Sequence, residues 1–136
     1  MANYSRKWLK QAEADLKAAI NSKASKDYNW SCFQAQQAGE KALKSFLYDQ
    51  GFTSVITHSL KELVKEAEKI DPSFSSLKND AKTLDAYYIS TLDPNGLGGD
   101  LPPSEYFEED DAEKCIRCAT SILDTVNAYF QNSTDS

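Results

Sequence analysis

Tyr28-Asn29-Trp30-Ser31-Cys32-Phe33-Gln34-Ala35-Gln36-Gln37-Ala38-Gly39-Glu40-Lys41-Ala42-Leu43-Lys44 is the stretch on which the fold turns. Apolar residues return at helical steps through Trp30, Phe33, Ala38, Ala42 and Phe46, with Leu43 and Leu47 beside them. That is the period of an amphipathic helix, not the two-residue alternation of a strand. Asp27 stands where an N-cap belongs and Gly51 where a helix stops. The segment predicts a helix from about residue 27 to 50, the longest uninterrupted one and therefore the central, buried helix. On its flank Gln37, Lys41 and Lys44 lie at i, i+4 and i+7 and share a face. Two cations and an amide suit recognition of phosphate and base. The alternative is a solvated face on which Glu40 and Lys44 pair at i, i+4.

Outward from this segment, the helical period continues. Trp8, Leu9, Ala12, Leu16, Ala19 and Ile20 oppose Lys10, Glu13 and Lys17, which predicts a first helix over 4–22. Phe52–Ile56 is too short and too isolated for a strand and reads as a connector. Ser59-Leu60-Lys61-Glu62 matches a capping box and opens a third helix with Leu60, Leu63, Val64 and Ala67 inward, broken at Asp71-Pro72. A fourth covers 74–89, with Leu77, Ala81, Leu84 and Tyr88 on one side. Residues 92–104, rich in proline and glycine, form a long loop of a functional or mobile kind. The last helix runs over 109–130 through Ala112, Ile116, Ala119, Leu123, Val126 and Phe130, with acidic residues in its first turn, where the dipole favours them. The tail 131–136 is polar and expected to fray. The sum is an all-α, up-and-down bundle of about five helices, one domain over 1–136.

Charge and cysteine usage narrow the chemistry. Fifteen basic against 21 acidic residues give a net charge of −6. A broad, sequence-independent grip on nucleic acid needs a basic surface, so bulk nucleic-acid binding is not expected. A local basic pocket stays compatible with this balance. Cys32, Cys115 and Cys118 read as reduced thiols. With no apolar signal core and no apolar run near the ~20 residues of a membrane span, a soluble, cytoplasmic protein is expected. Cys115 and Cys118 have a C-x-x-C spacing, but inside a helix and with no second ligand pair they read as apolar fillers. His58 is the only histidine and makes a poor metal site alone; it either anchors a loop or hydrogen-bonds a ligand. Asp85, Tyr87, Tyr88 and Thr91 gather at the end of the fourth helix, where tyrosine offers a stacking face or a core ring. No phosphate-binding glycine loop or nucleophile elbow occurs. No metal and no cofactor are expected.

Taken together, these segments resemble the HEPN family: the tryptophan-led Trp8–Leu16 helix, the Tyr28–Lys44 motif, Thr57-His58-Ser59-Leu60, Leu84-Asp85-Ala86-Tyr87-Tyr88-Ile89-Ser90-Thr91, and a closing helix beginning Asp111-Ala112-Glu113-Lys114. The family includes stand-alone prokaryotic proteins, often beside small nucleotidyltransferases, and the C-terminal domain of the chaperone-like protein sacsin. The resemblance implies a helical bundle, a homodimer, and association with nucleotides or RNA. Many members are RNases that use an arginine followed a few residues later by histidine. Here Arg6 and Arg117 are the only arginines, and neither precedes a histidine at short spacing. Where relatives carry Thr-Arg-Tyr-Pro, this chain has Thr91-Leu92-Asp93-Pro94. The expectation is a non-catalytic dimer that binds a nucleotide of the ATP or GTP class through Gln37, Lys41, Lys44, His58, Asp85 and Tyr88. The alternative is a pure interaction domain, partner to a nucleotidyltransferase or part of a chaperone-like protein. An RNase with an unusual catalytic set is the third reading.

Overall fold

The first two periodic segments form a pair of 22-residue helices, α1 over Asn3–Ala24 and α2 over Tyr28–Asp49. The computed structural model describes residues 3–88, 93, 95 and 98–134. Between the two helices the chain reverses through Lys26, whose φ of 65° is left-handed. Asp27 holds the N-cap position of α2, but its side chain makes no capping bond; its carbonyl instead accepts from Ser31 N. The other end follows glycine chemistry closely. Gly51, at φ 101°, donates to the Tyr48 carbonyl while Phe52 N donates to that of Leu47. These paired bonds are the Schellman closure that a left-handed glycine permits.

Beyond α2 come α3 (Leu60–Ile70), a 3-10 helix (Pro72–Leu77), α4 (Lys78–Tyr87), the short α5 (Pro103–Tyr106) and α6 (Glu109–Thr134). The helix expected over 74–89 is thus split. Asp71 caps Ser73 N, Pro72 fixes the first turn, and Phe74 and Leu77, three residues apart, both enter the core. The expected end of that helix at Ile89 lies outside the described residues, as do Thr91, Leu92 and Pro94. Pro103 starts a helical turn inside the expected loop, and α6 continues past Phe130 to Thr134.

α2 is the hub, touching α1, α3, α4 and α6. Along α1 the approach is close enough for Ser31 Oγ to donate to the Ala19 carbonyl at 2.7 Å, with Ala12 and Ala19 fully buried. Where α3, α4 and α6 converge, Gly39 leaves no room for a side chain: an added Cβ would lie 2.8 Å from Leu60 Cδ2 and 3.2 Å from Ile122 and Leu84 methyls. At the opposite end Phe46 meets Phe74 and Tyr129 at ring-centroid distances of 4.3 and 4.7 Å. Two residues expected inward are not. Ile20 and Trp30 are each 49 % exposed, because the core side of α1 ends with Ala19 and Trp30 sits in the first turn of α2, at the rim. Among the described residues no helix is long and apolar enough to cross a membrane.

Candidate functional site

Three polar side chains interrupt the buried surface of α2 at i, i+4 and i+8: Gln36, Glu40 and Lys44, none more than 4 % exposed. Taking an ion pair out of water costs several kcal/mol per charge unless geometry and further hydrogen bonds offset it. Here they do. Lys44 Nζ donates to Glu40 Oε2 at 3.0 Å, and His58 Nδ1 lies 3.3 Å from both Glu40 oxygens. Gln36 Nε2 donates to Glu40 Oε1 and to the His58 carbonyl, both at 3.4 Å, and Gln37 Nε2 donates to Gln36 Oε1 at 2.7 Å. Lys44 also stands 5.8 Å from the Trp8 ring centre, a cation–π distance. Among the described residues every buried side-chain nitrogen and oxygen has a hydrogen-bond partner.

From His58 an aromatic row runs outward. Its imidazole stacks on Tyr88 with centres 5.7 Å apart, Tyr88 stacks on Phe33 at 6.3 Å, and Phe33 meets Trp30 edge-on at 6.2 Å. The buried network holds the His58 end of this row, while the His58 side chain is 60 % exposed. Asp85 serves the adjoining helix end. Its Oδ1 accepts from Leu60 N at 2.7 Å and its Oδ2 from Lys61 N and Ser59 Oγ, a carboxylate at the positive end of α3. The expected capping box is half formed: Ser59 Oγ accepts from Glu62 N, but the Glu62 carboxylate takes the Thr57 hydroxyl instead.

Of the six residues named from the sequence, the structure joins Gln37, Lys44, His58 and Tyr88 through Glu40 and Gln36, and sets Asp85 beside them. Lys41 turns the other way, onto Asp15 of α1 at 2.6 Å, at the edge of a pocket of about 270 Å³ with Trp8 and Tyr4. The pair Glu40–Lys44 does form, yet buried and not on a solvated face. Glu40, Gln36, Phe33 and Trp30 are the members that the sequence reading left out of the site. Their signal was present: a polar i, i+4, i+8 stripe running inside an Ala/Leu/Phe surface.

Neither C-x-x-C residue is poised for reaction. Cys115 is fully buried, and a hydrogen bond with Cys32 together with burial pushes its thiol well up. Burial and the nearby Asp80 push Cys118 up to about 11. Among the described residues no group of three or more His, Cys, Asp or Glu side chains could hold a metal ion.

The HEPN domain model matches residues 5–129. The chain belongs to the HEPN family. Within that family it is similar in structure to TT1696 from Thermus thermophilus, at 36 % identity, a TM-score of 0.85, and coverage of 93 % of this chain and 98 % of that one. MJ1304 of Methanocaldococcus jannaschii, named as a candidate toxin, is 25 % identical over 135 residues, which cover 94 % of this chain and 89 % of MJ1304. Human sacsin is 26 % identical over 129 residues, covering 93 % of this HEPN chain and 3 % of sacsin's own length.

Proposed function

We propose that this HEPN domain is a non-catalytic, cytoplasmic, dimeric module that binds a nucleotide, with the base laid against the row Trp30–Phe33–Tyr88–His58. The observation that carries this reading is the row itself, exposed at both ends and held at one end by a satisfied polar network. A base stacked on an aromatic side chain is worth about 1–3 kcal/mol. In this reading Gln37 offers an amide to the base edge and Lys41 exchanges Asp15 for a phosphate oxygen. Lys44 and Asp85 act one step back, by holding Glu40 and the start of α3. Isothermal titration with ATP, GTP and their diphosphates tests it. Saturable binding that weakens roughly 5- to 150-fold in Tyr88→Ala, the equivalent of that stacking energy, supports the site; undiminished affinity in both Tyr88→Ala and Trp30→Ala refutes it.

A second reading, a protein-docking and dimerisation surface, is favoured by one observation: Lys41 and Lys44 each already hold a carboxylate. The partner would be a second copy, a nucleotidyltransferase, or neighbouring domains of a chaperone-like protein. Sedimentation separates the two readings. A Trp30→Glu variant that becomes monomeric while wild-type protein never binds nucleotide leaves the docking surface. The third reading, an RNase with an unusual catalytic set, is tested by incubating the protein with structured and unstructured RNAs; no cleavage of any of them retires it.

A further inference from the structure

Away from the aromatic row, α3 and α4 enclose a cleft of about 470 Å³. Lys61 and Lys65 line it from α3, Lys78 and Lys82 from α4, each pair at i, i+4. Like charges at that spacing repel, and here two such pairs face one space. The one carboxylate in the lining is Glu68, which takes Lys78 Nζ at 3.3 Å and ties the two helices together. Lys61, Lys65 and Lys82 form no ion pair among the described residues. In a chain of net charge −6 this is a concentrated positive surplus, unlike Lys41 and Lys44, which the fold neutralises.

We propose that the α3–α4 cleft is a binding site for a compact oligophosphate, a chain of two or three phosphoryl groups, through Lys61, Lys65, Lys78 and Lys82. Volume and chemistry select this class. The cleft falls in the range of small-molecule sites, and its cations are all lysines, point charges that serve tetrahedral, multiply charged phosphate. Four point charges around one space favour an anion that carries several charges over a single carboxylate. A nucleic-acid strand fits less well. The lining has no aromatic side chain on which bases could stack. The phosphates could be a free oligophosphate or the tail of a nucleotide, so this inference stands apart from the aromatic-row reading.

The test is isothermal titration of the whole chain with pyrophosphate, tripolyphosphate, ATP and a 12-nucleotide single strand, at low and moderate salt. Three proteins are compared: wild type, Lys65→Gln/Lys82→Gln, and Trp30→Ala/Tyr88→Ala, each checked for wild-type circular dichroism. We expect saturable, salt-sensitive tripolyphosphate binding that weakens at least tenfold in the lysine variant and is unchanged in the aromatic variant. ATP affinity that falls with the lysines identifies a nucleotide tail as one source; tripolyphosphate binding without ATP binding identifies the free anion. No saturable binding of either phosphate, equal binding by the lysine variant, or displacement by equimolar sulfate overturns the proposal. So does preference for the oligonucleotide.

Discussion

Glu40 illustrates how one side chain changes meaning once it is inside. It holds Lys44, His58 and Gln36 at once, with 4 % of its surface exposed. Removing one member of a buried pair strands the other charge, at a cost of about 3–5 kcal/mol. Glu40→Ala is therefore expected to lower the urea-unfolding free energy by that much, and Glu40→Met/Lys44→Met to recover most of the loss. A double variant as unstable as the single would show that the pair is not what Glu40 supports. The cysteines give a second expectation at this scale. Because the folded Cys118 thiol is raised to about 11 from an ordinary 9.0, its neutral form is favoured in the native state. That contribution to stability is complete below pH 9 and disappears as pH rises through about 11. At pH 8 all three thiols should resist labelling by a disulfide reagent until urea unfolds the chain; fast native labelling of any one would contradict its burial.

Among the elements, α3 depends on a residue that belongs to α4. The first turn of a helix has four N–H groups without internal partners, and Asp85 accepts from two of those at the start of α3. Asp85→Ala should cost about 1–2 kcal/mol, in the range of a lost cap. The loss should appear locally, as faster hydrogen exchange at the Leu60 and Lys61 amides while α2 keeps its protection. Uniform loss of protection would mean that α3 does not open separately. The Ser59–Glu62 spacing pointed correctly to the helix start, and Ser59 does cap it. What spacing could not show was that the heavier cap comes from 25 residues away. The same limit explains the 3-10 turn: Asp71-Pro72 announced a break, but the inward pull on Phe74 and Leu77 decided its geometry.

At the scale of the molecule, the bundle is organised around α2, and its two ends do different work. One end is packed by aromatic rings: Phe46 is fully buried between Phe74 and Tyr129. Phe46→Ala should lose about 3–5 kcal/mol, as large-to-small changes of buried aromatics do, measured by thermal or urea unfolding; a loss under about 1 kcal/mol would mean the cavity collapses. The other end leaves Trp30 half exposed, and the change Trp30→Ala should hardly alter stability.

Sequence alone determined the long helices α1, α2 and α6 and the start of α3, because a three- to four-residue apolar period and the Gly51 stop are local properties that any tertiary arrangement must respect. It also determined the family, through residues spread from Trp8 to Lys114, and it placed Gln37, Lys44, His58 and Tyr88 in what proved to be one neighbourhood. Tertiary structure decided the rest. Whether Lys44 faces water or Glu40 faces a core, whether Trp30 is inside, and which lysines meet across α3 and α4 all depend on how helices distant in sequence are rotated against one another. Periodicity gives each helix an apolar side; only packing sets where that side ends and which residues stand at its margin.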